Sequence, residues 1–464
     1  MKNMLKRVDS VRLILEKEAL SGMMVPGLIF ADHYIEKTLE QDSALQQVAN
    51  VACLPGILGY SFAMPDIHWG YGFPIGGVAA FEVDKGIISP GGVGYDISCG
   101  VRLLSSYIKL SDILPTLDSV SSSLFSAVPS GVGATSTVKL SSRDLDAVLC
   151  KGAHWAVKEG YGIHSDLEHT EQNGCIEGAL CEAVSSRAKE RGKNQLGTLG
   201  SGNHFLEIQV VDEIYDKNAA SRMNLEEGCI TVMIHCGSRG LGHQVCDDYL
   251  KVMRRAMSKY KINVPDRQLC CAPILSEEGQ SYIGAMRAAA NFALANRQII
   301  GSAVRDVFAH FFPGRPLFTV YDVSHNMAHI EKHVWEKRKV EVCVHRKGAT
   351  RSYEGQPVLI PGSMGTASYV LVGTQKAEEE TFASTCHGAG RVLSRSESMR
   401  RTKGMNLFEE MARRGVTVMA DSPRTLGEEM PEAYKDISAV VEVVHKAQLS
   451  LKVARLRPIS VIKG

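Results

Sequence analysis

Apolar residues recur at intervals of three and four along several parts of the chain, which is the pattern of an amphipathic helix. The Ala-rich stretch 277–312 has the strongest pattern and predicts one long helix or two abutting ones. The same periodicity predicts helices over 436–452 and over 175–191, the latter ended by Gly192. Shorter periodic pieces mixed with charges predict helical segments within 9–52.

Other parts of the chain carry short runs rich in Val, Ile and Gly, which predict strands separated by glycine turns. The largest such region is 57–110, and further strands are predicted over 205–212, 230–236 and 317–323 and in the tail, 452–463. Strands and helices follow one another without the regular alternation of a doubly wound sheet. The sequence therefore predicts an α+β fold with a mixed β-sheet core flanked by helices.

The chain has 464 residues, of which 44% are hydrophobic, enough to bury a large core. No Pro/Ser-rich linker interrupts it, so we expect a single catalytic domain over 1–464, with 1–50 as its least certain part. The 52 basic and 51 acidic residues leave a net charge of +1. Such a protein attracts nucleic acid through local basic patches and not through its overall charge.

Twelve cysteines are scattered along the chain without a Cys-x-x-Cys pair, which fits neither a zinc ribbon nor a disulfide framework. We therefore expect reduced cysteines and a cytoplasmic protein. Residues 1–20 lack the continuous apolar segment of a secretory signal, and no apolar run reaches about 18 residues. No membrane association is expected.

Two nucleotide-binding signatures are absent from the sequence. The Gly-Lys pair at Gly192-Lys193 is followed by Asn194, so no phosphate-binding loop of the Gly-x-x-x-x-Gly-Lys-Ser/Thr type exists. No Asp-Gly dipeptide occurs either, so the Lys-x-Asp-Gly motif of the lysine-dependent nucleotidyl-transfer ligases is missing. If the chain activates a nucleotide, its nucleophile is not such a lysine.

Several metal-ligating side chains lie in glycine-rich motifs. Asp96 and Cys99 are three residues apart in GGVGYDISCG, where a carboxylate and a thiolate could bind one metal or bridge two. His204 lies in GTLGSGNHFLE, and His235 ends a predicted strand in IHCGSRGLGH. For Asp96 and Cys99 the alternative is a tight turn with a buried cysteine. For His204 it is a core histidine whose hydrogen bonds are satisfied, and for His235 it is an ordinary strand followed by a loop.

Three further histidines, His325, His329 and His333, recur every four residues in SHNMAHIEKH. On a helix this spacing would place them on one face, either as a metal-binding stripe or as a solvated surface. His325 alone lies at the predicted junction between a strand and that helix, so it is the favoured ligand of the three.

Two other motifs combine glycines with polar groups, as anion-binding loops do. The first is PGSMGTAS at 361–368, and the second is STCHGAGR, in which His387 precedes Gly-Ala-Gly-Arg. A nucleophile next to a phosphate pocket would have this setting, although two loop turns are an equal alternative. Asn203 adds an amide, and Arg239 adds a guanidinium that can donate two hydrogen bonds to one phosphate.

Taken together and in order, these motifs resemble the RtcB family of RNA ligases. The resemblance covers PDIHWGYGFPIGG, GGVGYDISCGV, GSGNHFLE, HCGSRGLGH, DVSHN, HRKGATR, PGSMGTASY, TCHGAGR and the tail RLRPISVIKG. It extends from about residue 50 to the C-terminus and implies an RtcB-like fold with a central metal and nucleotide cleft. Members of this family use GTP and Mn²⁺ to join 2′,3′-cyclic phosphate or 3′-phosphate RNA ends to 5′-hydroxyl ends.

The resemblance implies a role for each matching residue. His387 would carry GMP, and Cys99 would bridge two manganese ions, one completed by His204 and His235 and the other by Asp96 and His325. The guanylate pocket would be formed by Asn203, His204, Phe205, Leu206, Glu207, His325, Asn326, Pro361, Gly362, Ser363, Met364, Ser368, His387, Gly388, Ala389, Gly390, Tyr434 and Lys463. The cellular role would be tRNA splicing, RNA repair or both. Whether the enzyme needs an activating protein partner is left open.

RNA would have to be attracted by a local basic patch, for which seven residues near the motifs are candidates. These are Arg102, Arg239, Arg346, Lys347, Arg351, Arg391 and Arg395.

Two other functions are weighed against ligation. A metal-dependent RNA cyclic phosphodiesterase could use the same metals but needs no guanylylated histidine, and an RNA-binding scaffold would need neither.

Overall fold

The protein is described by a computed structural model that covers residues 4–39, 42–420 and 422–464. Residues 40 and 41, within the predicted N-terminal helical stretch, lie outside the described residues. In chain order the strands are β1 (Leu5–Arg7), β2 (Arg12–Leu15), β3 (Gly27–Phe30), β4 (Ile57–His68), β5 (Ile75–Glu82), β6 (Ile87–Ile88), β7 (Gly100–Lys109), β8 (Phe205–Ile214), β9 (Cys229–Cys236), β10 (Ala272–Pro273), β11 (Phe318–Ser324), β12 (Asn326–Trp335), β13 (Arg338–Lys347), β14 (Ala349–Arg351), β15 (Pro357–Ile360), β16 (Ser368–Gly373), β17 (Ser384–Cys386), β18 (Thr417–Ala420) and β19 (Ser450–Lys463).

The helices flank these strands, and none of those described is long and apolar enough to cross a membrane. They are α1 (His33–Leu39), α2 (Ala44–Val51), α3 (Leu110–Ile113), α4 (Leu117–Ala127), α5 (Ser142–Lys151), α6 (Ala153–Lys158), α7 (Ser165–Glu168), α8 (Ser186–Lys193), α9 (Lys217–Arg222), α10 (Arg239–Tyr260), α11 (Glu277–Phe311), α12 (Gln375–Thr381), α13 (Arg395–Arg401), α14 (Leu407–Arg413), α15 (Pro423–Glu428) and α16 (Ile437–Lys446).

Two large sheets form the core. One has seven strands in the order β1-β2-β3-β4-β5-β13-β12, and the other contains β11-β7-β9-β8-β19-β16-β15, with β18 as an eighth strand beside β19. Neighbouring strands are antiparallel except for β3 with β4 and β18 with β19, so both sheets are mixed. A two-stranded sheet of β14 and β17 is separate from both.

The strand register brings four strand ends of the eight-stranded sheet to one edge. Gly100, the first residue of β7, faces Ser324 at the end of β11 and Cys236 at the end of β9. Phe205, the first residue of β8, faces His235 near the end of β9. Because adjacent antiparallel strands alternate in direction, the starts of β7 and β8 meet the ends of β9 and β11. Side chains next to these four ends must therefore lie close together.

Helix α11 is the longest helix and is buried along most of its length. Its start is set by Ser276, whose side chain accepts a hydrogen bond from the Gly279 amide, followed by Glu277 and Glu278 in the first turn. Alanines allow close packing against α5, α6 and α10. A helix apolar on nearly all sides must be enclosed by the protein.

A buried ion network joins α11 to the edge of the eight-stranded sheet. Asp322 on β11 accepts hydrogen bonds from Arg102 Nε and Arg297 Nε, both at 2.8 Å, and all three side chains are inaccessible to solvent. Arg297 also donates to the carbonyl groups of Ser98 and Cys236, at 2.7 and 2.9 Å. The network thus holds the loops next to the strand ends.

We expect the Asp322→Ala variant to lower the free energy of unfolding by about 3–5 kcal/mol, because two buried guanidinium groups lose their carboxylate. Urea denaturation followed by circular dichroism measures this change. Asp306→Ala, which removes an exposed carboxylate from α11, is the matched control and should change stability little. Equal stability of the two variants would contradict the stabilising role of Asp322.

Most predicted elements are confirmed. The α+β class, the mixed sheet core and the strands near 205–212, 230–236 and 317–323 are present. The long Ala-rich helix is one continuous element, and the tail is a strand that begins two residues earlier than predicted. The helix predicted over 436–452 ends sooner, because its last residues already belong to that strand.

Other predictions were wrong. His325 lies between β11 and β12, and the residues after it form strand β12 (Asn326–Trp335) and not a helix. A spacing of four places side chains on one face in a strand as well as in a helix. Helix α8 covers only the end of 175–191, and the N-terminal region contributes β1 to β3 as well as α1 and α2. The Sγ atoms of Cys150 and Cys181 lie close enough to pair, whereas the other ten cysteines are free.

Candidate active site

Five side chains from separate parts of the chain meet where the four strand ends converge. Cys99 Sγ lies 3.4 Å from His204 Nε2 and 3.3 Å from His235 Nε2. His235 Nε2 lies 3.2 Å from His325 Nε2, and His204 Nε2 lies 2.8 Å from an Asp96 carboxylate oxygen. Cys99, His204, His235 and His325 lie at or next to strand ends, and Asp96 lies in the turn before β7, so the sheet register brings the cluster together.

The five side chains form two groups that share Cys99. Asp96, Cys99 and His204 make one group, and Cys99, His235 and His325 make the other, with the donor atoms of each group within 4.8 Å of one another. The predicted members and the shared thiol are found together. Which of these side chains would share an ion stays a prediction, in which the resemblance pairs His204 with His235 and Asp96 with His325.

The turn that carries Asp96 and Cys99 is held by backbone contacts. The Cys99 amide donates to the Asp96 carbonyl at 3.0 Å, and Ser98 between them adopts the left-handed conformation, with φ of 55°. The His325 amide donates to the Cys99 carbonyl at 2.8 Å. The Asp96 carboxylate accepts a hydrogen bond from the Ser238 amide at 3.1 Å. These contacts fix the positions of both side chains.

The electrostatics of the cluster fit a bound cation. Burial and the charge of Asp96 raise the pKa of Cys99 to about 12, so the thiol alone would stay protonated. Burial also lowers the pKa of His235 and of His325 well below their usual values, which leaves both rings neutral. Neutral imidazoles are metal ligands, and a cation converts a coordinating thiol to thiolate. The cluster could therefore hold a metal ion.

His387 lies beside the cluster and is oriented by Asp66. The centroids of the His387 and His325 rings are 4.7 Å apart. His387 Nδ1 lies 2.6 Å from Asp66 Oδ2, which also accepts hydrogen bonds from the His387 and Gly388 amides at 3.0 and 3.2 Å. A carboxylate with this many donors fixes both the position of the ring and its tautomer, leaving Nε2 with the lone pair.

The site borders a cavity of about 630 Å³ that is large enough for a nucleotide. Its wall contains most residues of the predicted guanylate pocket, namely Asn203, His204, Phe205, His325, Asn326, Pro361, Gly362, Ser363, Met364, His387, Gly388, Ala389, Gly390, Tyr434 and Lys463. The structure therefore brings these predicted residues to one surface together with the metal-ligand cluster.

Comparison with known proteins identifies the family of this site. A profile of the RtcB family, described as tRNA-splicing ligase RtcB, matches residues 47–464. The chain belongs to the RtcB family. The tRNA-splicing ligase RtcB of Archaeoglobus fulgidus is 51% identical over 100% of both chains, and that of Thermococcus kodakarensis is 51% identical over 99% of both. The RNA-splicing ligase RtcB of Mycobacterium tuberculosis is 52% identical over 90% of this chain and 100% of its own length.

The family and the enzyme class, an RNA ligase, are thus confirmed as predicted from the motifs. The match also reaches the N-terminal fifty residues, where the resemblance was least clear, since the archaeal RtcB relatives cover essentially the whole chain.

Three predicted RtcB pocket residues lie behind the cavity wall. Ser368 Oγ accepts a hydrogen bond from the Gly362 amide at 3.1 Å and so supports the turn that reaches the cavity. Glu207 is buried, its pKa is raised by burial to about 8, and one of its oxygens has no partner among the described residues. Leu206 is fully buried in the core. Their binding of guanylate stays a prediction.

The predicted RNA-binding patch is only partly at the surface. Arg102 and Arg346 are fully buried in ion pairs with Asp322 and Glu331, so their prediction as surface groups was wrong. Two others are engaged inside the protein. These are Lys347, which donates to the carbonyl groups of Tyr71, Phe73 and Gly91, and Arg351, which pairs with Glu171 and Glu331. Lys347 also lines the cavity, as do Arg239, Arg391 and Arg395.

Asp66 and Glu429 are the main residues of this RtcB site that sequence reasoning did not select. Glu429 is buried, accepts a hydrogen bond from the Tyr434 hydroxyl and pairs with Arg391 at 3.2 Å. Asp66 could have been noticed as a lone carboxylate in the apolar strand β4, within the quoted motif PDIHWG. Nothing local to Glu429 distinguishes it from a surface glutamate.

Proposed function

We propose that this enzyme joins RNA ends bearing a 2′,3′-cyclic phosphate or a 3′-phosphate to 5′-hydroxyl ends, using GTP and Mn²⁺, in tRNA splicing, RNA repair or both. The observation that carries the proposal is the position of His387. Its Nδ1 is held by Asp66, and its ring lies against His325 of the cluster, at the wall of a nucleotide-sized cavity. A histidine fixed in this way suits covalent catalysis.

The first step would be attack by His387 Nε2 on the α-phosphate of GTP. A nitrogen–phosphorus bond forms, and the bond from the α-phosphorus to the leaving pyrophosphate breaks. Asp66 accepts the Nδ1 proton in a hydrogen bond throughout, which stabilises the charge that develops on the ring. A cyclic phosphate end is opened by water to a 3′-phosphate. That phosphate then takes GMP from His387, and the nitrogen–phosphorus bond is broken.

In the last step the 5′-hydroxyl attacks the activated 3′-phosphate, a phosphodiester forms and GMP leaves. The guanylate would lie among the cavity-wall residues, where the glycines of the segments 361–364 and 388–390 let a phosphate approach the backbone closely. Lys463 adds a cation there, since its ammonium donates to the Gly202 carbonyl at 2.7 Å and lies over the Phe205 ring.

Two divalent ions would be held by the five side chains, with Cys99 shared between them. His204 and His235 would complete one site, and Asp96 and His325 the other. When bound, the ions would neutralise phosphate charge and help to deprotonate the attacking hydroxyl. One thiolate, one carboxylate and three imidazoles would also suit zinc. The choice of manganese is supported by the resemblance to RtcB enzymes more than by the donor set.

A joining assay tests the proposal. Labelled RNA ending in a 2′,3′-cyclic phosphate is incubated with a 5′-hydroxyl RNA, with and without GTP and Mn²⁺. We expect a joined product only when both are present. Opening of the cyclic phosphate without joining, and without labelling of the protein by GTP, would instead establish the cyclic phosphodiesterase alternative. RNA binding without either reaction would support a scaffold.

We expect the Asp66→Asn variant to transfer GMP to His387 about 10²–10⁴-fold more slowly than the wild type, because the carboxylate that fixes the ring tautomer is lost. Single-turnover labelling with GTP carrying a labelled α-phosphate measures this rate. Asp84→Asn, which changes an exposed carboxylate in the turn after β5, is the control. A wild-type rate in Asp66→Asn would show that the Asp66–His387 contact does not support catalysis.

A further inference from the structure

Lys435 is a buried lysine directly behind the wall of the active site. Its side chain is 4% exposed, and its ammonium donates to the carbonyl groups of Pro65, at 3.0 Å, and Ile67, at 2.5 Å. Within the described residues Lys435 forms no ion pair. These two carbonyl groups flank Asp66. The ammonium therefore binds strand β4 on both sides of the carboxylate that orients His387.

The backbone of Lys435 is joined to the nucleophile turn as well. Its amide donates to the Gly390 carbonyl at 2.9 Å, three residues after His387. Gly390 adopts a φ of 72° and packs so closely on the Asp66 backbone that any side chain there would collide with it. The preceding residue, Tyr434, pairs with Arg391 in an isolated bridge and lines the cavity. Lys435 therefore connects β4, the turn after His387 and the guanylate end of the cavity.

A positive charge at this position has an electrostatic effect on Asp66. Burial lowers the pKa of Lys435 to about 8, and the negative charge of Asp66 opposes that shift. One Asp66 oxygen takes all three donors from the His387 turn, whereas the other has no hydrogen-bond partner among the described residues. The ammonium forms no ion pair with this carboxylate, but its charge lies close enough to attract that of Asp66.

We propose that Lys435 is a positioning residue for the covalent step, acting on His387 through Asp66. The inference rests on the proposed function, since it requires that His387 accept GMP. Lys435 itself does not line the cavity, so it acts without touching the nucleotide. Loss of its ammonium frees the Pro65–Ile67 segment and moves the Asp66 carboxylate relative to the ring.

The test begins with Lys435→Met, which keeps the length of the side chain and removes its charge and donors. We expect the rate of GMP transfer to His387 at saturating GTP to fall about 10- to 100-fold, as for a displaced catalytic group. The KM for GTP should change less than about threefold, because the nucleotide contacts remain. Bound metal, measured by mass spectrometry, should be unchanged. A wild-type rate of GMP transfer would overturn the inference.

A double-mutant cycle separates action through Asp66 from a general structural effect. If Lys435 works through Asp66, adding Lys435→Met to Asp66→Asn should slow GMP transfer by less than about twofold. Independent effects, in which the two losses multiply, would overturn the proposal. If Lys435→Met does not fold, as judged by thermal unfolding, the same cycle is run with Lys435→Gln, which removes the charge but keeps a polar side chain, and the same two outcomes apply.

Lys452→Met is the matched control, because Lys452 is a partly exposed lysine that pairs with Glu442 and does not line the cavity. It should transfer GMP at the wild-type rate, and a loss equal to that of Lys435→Met would overturn the specific role of Lys435. Failure of the wild type to take any label would refute the proposed function and this inference together. Labelling of the wild type with undiminished labelling of Lys435→Met would refute the inference alone.

Discussion

The His387→Ala variant is expected to take up no label from GTP labelled at its α-phosphate, whereas the wild type should be labelled covalently. The proposed reaction needs a ring nitrogen with a free lone pair, and His387 is the histidine whose other nitrogen is held by a carboxylate beside the cluster. Joining of RNA ends should fall by at least about 10⁴-fold, as when other covalent nucleophiles are removed. Denaturing gels measure the label, and the joining assay measures turnover.

A substrate that already carries GMP tests whether His387 is needed only for the covalent step. An RNA whose 3′-phosphate has been guanylylated chemically bypasses His387, so the variant should still join it to a 5′-hydroxyl RNA. His33→Ala, which removes an exposed histidine on α1, is the control and should behave as the wild type. Persistent labelling of His387→Ala would mean that another residue is the nucleophile.

The Cys99→Ala variant is expected to lose both metal sites and, with them, GMP transfer and joining. Cys99 is the single member common to the two ligand groups, so its removal leaves each group with two donors. Partners that only orient metal ligands contribute about 10- to 100-fold to affinity, so loss of a shared ligand should cost more than about 100-fold. Isothermal titration with Mn²⁺ and with Zn²⁺, together with the metal content of the purified protein, measures this loss.

Cys229→Ala is the matched control, because it also removes a buried thiol from the eight-stranded sheet, at the opposite end of β9. It should bind metal and join RNA normally. Retention of two tightly bound ions by Cys99→Ala would contradict the role of Cys99 as a ligand of both ions. Equal losses in both variants would show that the effect arises from packing and not from coordination.

The chemistry of the site could be predicted from the sequence to a large extent. Asp96, Cys99, His204, His235 and His325 each lie in a short motif with glycines, and such motifs are recognisable without tertiary structure. The structure gathers all five at one place, as expected. Their division into two ion sites stays a prediction from the family resemblance, because strand order, which brings the five together, is not a local property of the sequence.

Residues that act through long-range contacts could not be assigned from their neighbours in sequence. Arg102 was placed in a surface patch, yet its partner Asp322 lies 220 residues away and holds it in the core. Asp66 lies 321 residues from His387, so no spacing rule joins the two. A buried ion pair and a surface arginine are indistinguishable until the fold supplies the partner.

By itself the amino-acid sequence determined the fold class, the long helix α11, the strands that border the site and the identity of the donor atoms. These follow from local periodicity and from motifs in which the side chains are close in the chain. The tertiary structure alone decided that His204 lies beside Asp96, that Asp66 contacts His387 and that Lys435 lies behind them. Such contacts join residues more than a hundred positions apart, and only the register of the packed sheets sets them.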